Sequence, residues 1–520
     1  MNLDVFIQLG PELILMIGAF VALVVGVMRV SERAQWVSPV ALVTVLIAFL
    51  ASLGFESPDK AAAVVPGLWI TPLTFYARWI TLGVGAIIIL VNWHQPEAKE
   101  RGEYMSLILL SLLGVLLTAS ANDLIVLFFA IELVSVPTYV LIALSRTDSR
   151  AAESAVKYFF LGALSAAILA YGLSFLYGAA GTTALHTLVD GRAVSNWSFA
   201  GPISSHALIG FVLVFGGLAF KIAAVPLHVY VADVYEGAAS PISGMLGFVP
   251  KLAGFVALAK LLSVFNWQLP DALFWMIWLV AAVTMTVGNV LALLQKNVKR
   301  LLAYSSVAHT GYMLVALLVG PTVGQGPMRD GAAAMLFYIA VYGAMNLGVF
   351  AVLAAFQREG RDVETLDDLA GLYAYAPLTA LAMATLAFSL TGIPPTAGFI
   401  GKLYIFAGAL SFDPAHMYHA PLLALVIIGV INAAVGAAYY LRIAAAVYLQ
   451  GDKAGDRSEG TVSLTRSAGQ PVRWGLALCC LSMLILFVWP SGLARQAQRA
   501  TASLHDASTT SHIAAAASSQ

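Results

Sequence analysis

One carboxylate and three amines stand in stretches where charge is costly. Glu132 lies in IVLFFAIELVSVPTYV, Lys221 in FKIAAVPLHVYVADVYEG, Lys251 in GFVPKLAGFVALAK and Lys402 in TGIPPTAGFIGKLY. A Lys at the centre of a membrane helix costs about 2.5–3.5 kcal/mol on insertion scales, so an ionisable residue kept there marks a proton or ion path. The competing reading is a surface Lys whose stem lies along lipid while its ammonium reaches water. That reading suits Lys157 and Arg442, near the ends of apolar runs. It suits Lys221, Lys251 and Lys402 poorly, because about ten or more apolar residues separate each from the nearest loop on at least one side. Glu and Lys side chains bind and release protons, so the chemistry indicated is proton transfer between titratable sites.

Two of the amines sit beside prolines. Lys221 precedes Pro226 by five residues, and Lys402 follows Pro395 by seven. Proline removes a backbone donor and breaks or kinks a helix, and a break at membrane depth is tolerated where it faces protein or a polar cavity. Interrupted helices near the midplane are where transporters build ion sites.

The elements that must position these residues follow from composition. Of 520 residues, 60% are hydrophobic and 10% charged, against about 25% charged in a soluble domain. Uncharged runs such as 158–189, 193–220, 302–328 and 372–401 each exceed the roughly 20 residues needed to cross a bilayer. The 27 basic and 27 acidic residues cancel, which leaves no basic stripe for nucleic acid. The cysteines, Cys479 and Cys480, are adjacent in an apolar stretch with no C-x-x-C or dinucleotide fingerprint. Redox chemistry by this chain itself is therefore not expected. The N-terminal apolar run lacks a basic leader and a cleavage signal, so it reads as a retained first helix.

Apolar runs bounded by Gly, Pro and charge predict an all-α integral membrane protein with about fourteen transmembrane helices. The spans fall near 12–29, 36–54, 66–91, 104–120, 123–144, 155–178, 207–236, 240–265, 271–295, 300–319, 331–356, 377–411, 420–449 and 472–490. Odd-numbered loops and their flanks hold Arg29, Arg33, Lys99, Arg101, Arg146, Arg150, Lys296, Lys299, Arg300, Arg358, Arg361, Lys453, Arg457, Arg466 and Arg473. Even-numbered loops hold only Lys60, Arg192, Lys260 and Arg329. Lys and Arg accumulate in cytoplasmic loops, so the odd loops are expected in the cytoplasm and both termini outside. The tail from Arg495 is rich in Ala and Ser and is expected to be disordered.

The seventh and twelfth spans, which carry the two Pro-flanked lysines, are an odd number of crossings apart and run in opposite directions. Matching discontinuous helices of opposite sense are the mark of an inverted repeat. The expected organisation is three N-terminal spans in 1–103, a first five-helix repeat in 104–265 (spans 4–8), a second in 271–449 (spans 9–13), and a loop, last span and tail in 450–520. Lys221 and Lys402 become pseudo-symmetric centres; Glu132 has no acidic counterpart, since the tenth span offers His309.

KIAAVPLHVYVADVYEGAASPISGMLGFVPK from Lys221, NVKRLLAYSSVAHTGY from Asn297 and FSLTGIPPTAGFIGKLYIF from Phe388 resemble the antiporter-like membrane subunits of respiratory complex I. DVYEG at Asp233–Gly237 and Lys at position 251 resemble the subunit N family most closely. The resemblance covers roughly 105–449. Ala232, Ala239 and Tyr230 depart from it, standing where the family usually has Pro, Pro and Trp.

The resemblance implies a proton-translocating subunit in a bacterial inner membrane, working in a complex whose NADH, FMN, iron–sulfur and quinone chemistry belongs to other subunits. It implies that Glu132 and Lys221 form an ion pair, that Lys251 is the central relay and Lys402 the terminal gate, and that Lys157 and His228 line the proton path. No cofactor is expected on this chain, and its expected partners are the other membrane-arm subunits and lipid. A subunit of a sodium/proton antiporter complex and a non-pumping scaffold are the alternatives. Four deep ionisable residues weigh against the scaffold.

Overall fold

The structure is a computed structural model, describing residues 7–28, 34–54, 62–95, 100–189, 192–197, 203–321, 328–358, 361–449, 464–466 and 469–504. Arg29, Arg33, Lys60, Lys99, Lys453, Arg457 and the tail beyond 504 lie outside the described residues. Helices dominate, as the apolar runs predict. The N-terminal part holds α1 (Gly10–Val27), α2 (Val37–Leu53) and α3 (Pro72–Val91). Next come α4 (Arg101–Ser120), α5 (Leu124–Ser145), α6 (Ser149–Ala180), α7 (Ser205–Lys221), α8 (Val231–Gly237), α9 (Ser240–Leu246) and α10 (Val249–Ser263). They are followed by α11 (Asp271–Leu293), α12 (Val298–Val319), α13 (Gly331–Ala354), α14 (Leu372–Tyr375), α15 (Pro377–Thr391), α16 (Ala397–Leu410) and α17 (His419–Leu449). The last two are α18 (Gln470–Val488) and α19 (Pro490–Ala502).

Side-chain caps start many of these helices. Asp123 accepts hydrogen bonds from the backbone N–H groups of Ile125 and Val126 at α5, Asp148 caps α6, Asn297 caps α12, Asp330 caps α13 and Thr396 caps α16. Each satisfies donors that the first helical turn leaves unpaired. Short antiparallel ladders tie the loops: Ala62–Val65 with Leu68–Ile70, His186–Val189 with Arg192–Ser195, and Phe356–Arg358 between Arg361–Asp362 and Leu464–Arg466.

Burial places the centre of the molecule. Every residue of α10, and every residue of α13 up to Leu353, is buried, whereas α6 exposes Val156, Phe159, Phe160 and Leu164, and α17 exposes Ile427, Val430 and Ile431. Apolar side chains facing out in this way fit a lipid or partner-subunit surface. The lysines reach inward from that central layer and from the two interrupted spans.

The predicted spans are cut more finely than expected. The stretch 207–236 is α7, a non-helical turn and α8; 377–411 is α15 and α16 separated by Gly392–Thr396; 240–265 divides into α9 and α10; and 66–91 opens with a strand before α3. In each case a proline stands in the first helical turn after the break or inside it, where it removes a donor the helix would need. The start of the tail, as far as residue 504, is a correction. Residues 490–502 form a helix, because Ala494, Ala497 and Ala500 give it a small apolar face and Thr501 Oγ1 donates to Asp330 Oδ2 at 3.0 Å. Trp267 Nε1 then donates to the Leu504 carbonyl at 3.3 Å.

Candidate functional site

Lys221 is the last residue of α7 and is 4% exposed. Its Nζ donates to Glu132 Oε1 at 2.9 Å, Ser135 Oγ at 2.8 Å and Tyr139 OH at 3.3 Å, all from α5. Glu132, Ser135 and Tyr139 recur at helical spacing, so one face of α5 presents all three. The turn that follows holds Ala223 at φ +60°, a left-handed conformation that a non-glycine residue adopts at a cost of order 1–3 kcal/mol and that clusters at functional sites. The N–H of Val225, freed by the break, donates to Thr284 Oγ1 of α11 at 3.1 Å.

Lys251 is 1% exposed in the first turn of α10. Its ammonium donates to the Ser306 carbonyl and, at 2.7 Å, to Thr310 Oγ1 of α12. Thr310 Oγ1 in turn donates to the Ile222 carbonyl at 2.6 Å, directly beside Lys221. A cavity of about 10 Å³, enough for about one water, is lined by Lys221, Tyr230, Val231, Val234, Tyr235 and Lys251. The two lysines therefore share both a hydrogen-bonded backbone link and a small space of about the size of one water.

Beyond Lys251 the polar residues continue along α12. His309 is 1% exposed and its ring nitrogens bond Tyr338 OH at 2.7 Å and Tyr440 OH at 2.8 Å. Tyr440 also bonds Ser305. Lys402, 7% exposed on α16, donates to the carbonyls of Leu390 and Thr391 at 3.0 and 2.7 Å and lies 5.0 Å from the Tyr312 ring centroid. Those carbonyls end α15, so the ammonium sits at the negative end of a half-helix. Gly392 makes this approach possible: it adopts φ +87°, and a Cβ there would lie 2.9 Å from Lys402 Cδ.

The other two predicted positions lie apart from this line. Lys157 is half-exposed and turns to Glu153 and Asp233, at 2.7 and 2.9 Å, not to Lys221. His228 is buried in the turn after α7, with its ring centroid 6.5 Å from that of Tyr304.

The family described as NADH:quinone oxidoreductase/Mrp antiporter, TM, matches residues 121–429. NADH-quinone oxidoreductase subunit N of Rhodospirillum rubrum is 36% identical over 503 residues, 96% of this chain and 97% of that one. Subunit N of Trichlorobacter lovleyi is also 36% identical, over 506 residues. The chain belongs to the subunit N family of NADH-quinone oxidoreductases. A chain of respiratory complex I from Thermus thermophilus superposes with TM-score 0.74 at 28% identity, covering 93% of this chain and 98% of that one. The Mrp complex of a Dietzia species shares the fold, with TM-score 0.79 at 21% identity.

This subunit N chain buries more charge than its apolar runs suggested. Glu12 of α1 is deeper than Glu132, 4% exposed and bidentate to Arg78 of α3 at 2.9 and 2.8 Å. It stands at the start of the first apolar run, where nothing in the sequence singles it out. Lys299, fully buried, donates to the Ala238 carbonyl at 2.8 Å, and Lys260, 6% exposed, to that of Ala121 at 2.7 Å. Both read as loop-flanking cations. Lys260 follows Lys251 by nine residues on one helix, half a turn away, so the two face opposite sides. Burial in the nearby β-hairpin pushes the His186 imidazole down to about 4, with Lys260 adding to the effect. His186 is thus neutral at pH 7.

Proposed function

We propose that this chain carries protons across the membrane as a membrane-arm subunit of NADH-quinone oxidoreductase, with the redox groups held by other subunits. The observation that supports this most is the row of buried titratable groups. Glu132 pairs with Lys221, Thr310 and a water-sized cavity join Lys221 to Lys251, and His309, bonded to Tyr338 of α13 and Tyr440 of α17, lies on the same helix whose Ser306 and Thr310 hold Lys251. Such a row is expensive in a bilayer unless it conducts.

In this reading Glu132 controls how readily Lys221 gives up its proton. An opposite charge in contact favours the charged form of each partner, and separation weakens that preference. Lys251 relays, and Lys402, on the carbonyls of a half-helix end, closes the far side. Lys157 and His228 serve the entrance. Two inverted repeats, 104–265 and 271–449, place the interrupted spans α7/α8 and α15/α16 as counterparts. Among the described residues, eleven long apolar helical segments, with α9 and α10 taken as one, together with α2, α7 and the α15/α16 pair are consistent with fourteen crossings.

Purification of the tagged chain in mild detergent should bring flavin and iron–sulfur subunits with it. Recovery of antiporter-type membrane chains alone would overturn the assignment.

The Lys/Arg asymmetry supports a cytoplasmic side for the odd loops and both termini outside. A cysteine at position 455 should then react with an impermeant thiol reagent only from the cytoplasm, and one at 511 only from outside. Termini on different faces would refute the crossing count.

A further inference from the structure

The short helix α8 has two working faces. Val231, Val234 and Tyr235, with Tyr230 just before it, wall the cavity between Lys221 and Lys251. Tyr230 OH donates to the Phe220 carbonyl at 2.8 Å, next to Lys221, and Tyr235 OH bonds Ser306 Oγ at 3.4 Å on the residue whose carbonyl holds Lys251. On a helix, residues 231, 234 and 235 share one side and residues 233 and 236 the opposite side.

That opposite side carries Asp233 and Glu236, both half-exposed. Asp233 accepts from Lys157 of α6 at 2.9 Å through one oxygen and from Arg300 of α12 at 2.8 Å through the other. The same Arg300 Nη1 donates to Glu236 at 2.7 Å, and Asn297 Nδ2 adds a bond to Glu236 at 3.3 Å. Ser154 Oγ donates to the Asp233 carbonyl at 2.9 Å, and a Cβ on Gly237 would fall 2.0 Å from that hydroxyl. α8 is therefore pressed onto α6 and strapped by charge to α12, while the α7 break leaves it no helical continuity with Lys221.

We propose that Asp233 is a positioning residue: bridging Lys157 and Arg300, it latches α8 so that its inner face holds the Lys221–Lys251 space to water size, and releasing the latch opens that space to the cytoplasm. This rests on the proton-carrying reading above. Partly exposed ion pairs are individually weak, which suits contacts that must break during a cycle.

The test uses the assembled complex with Cys479 and Cys480 replaced by Ala and Val234→Cys as the reporter. Val234 is fully buried, so its thiol should react slowly with a small water-soluble reagent from the cytoplasmic side. Asp233→Asn should raise that rate tenfold or more and lower the proton-to-electron ratio. Asp233→Glu should restore both, and Arg150→Gln, which removes only a contact to Glu364, should change neither. Lys157→Gln, at an exposed position, gives the same readout if Asp233→Asn does not assemble. Unchanged labelling overturns the latch, as does faster labelling with an unchanged ratio. Labelling needs no pumping, so failure of the proton-carrying reading itself is seen separately, as normal pumping by Lys251 variants.

Discussion

Replacing Glu132 and Lys221 together should impair pumping no more than replacing either alone. The carboxylate and ammonium lie 2.9 Å apart, with the lysine side chain 2% and the glutamate side chain 17% exposed. Removing one partner of a buried pair leaves the other unpaired, at roughly 3–5 kcal/mol if it stays charged. Lys221 retains Ser135 and Tyr139 when Glu132 is lost, so Glu132→Gln should assemble better than Lys221→Met, which strands a carboxylate at the edge of an apolar face. Each single variant should reduce proton transfer by tenfold or more. The double variant removes both charges and should assemble at least as well as the worse single. In a double-mutant cycle on the proton-to-electron ratio, residues acting as one unit give a coupling of about 0.5–3 kcal/mol. Losses that simply multiply would show that the two are not one switch.

What the sequence made legible was the set of side chains too costly to bury without use. Glu132, Lys221, Lys251 and Lys402 stood out because long apolar stretches flank them; the structure buries the three lysines beside the breaks or in a central helix and leaves Glu132 partly exposed on α5, facing Lys221. The prolines announced the broken spans but not their partners. That Thr310 ties Lys251 to the Ile222 carbonyl depends on α12 packing beside a turn 88 residues away, which no local pattern encodes. Lys260 and Lys299 were misread for the opposite reason. Each stands near a predicted loop, and distance from a loop along the chain is a poor guide where a neighbouring helix end offers a carbonyl to a buried amine. Asp233 and Glu236 were visible as a motif, but their role depends on which faces of α8 meet α6 and α12.

Lys251 and Lys402 should separate relay from structural support. In Lys251→Met the stem is replaced by one of similar volume, a change cores tolerate well. Neither acceptor is stranded, because the Ser306 carbonyl lies inside α12 and accepts the backbone N–H four residues on, while the Thr310 hydroxyl keeps its bond to Ile222 at 2.6 Å. Near-normal content of the assembled complex is expected. Lys402→Met is different: the Leu390 and Thr391 carbonyls terminate α15 and lose their ammonium. A buried acceptor left unmade costs about 1–3 kcal/mol, so this variant should assemble less well, and Lys402→Arg should recover assembly better than pumping. Pumping should fall in both Met variants, because a thioether cannot accept and return a proton. With every 1.4 kcal/mol of added barrier worth about tenfold in rate, loss of a relay site should lower transfer through this chain by at least an order of magnitude. The proton-to-electron ratio in inverted vesicles, normalised to complex content, is the measurement. An undiminished ratio in Lys251→Met at normal content would remove Lys251 from the path, and the Thr310 bridge would then be a packing contact between α12 and the α7 break.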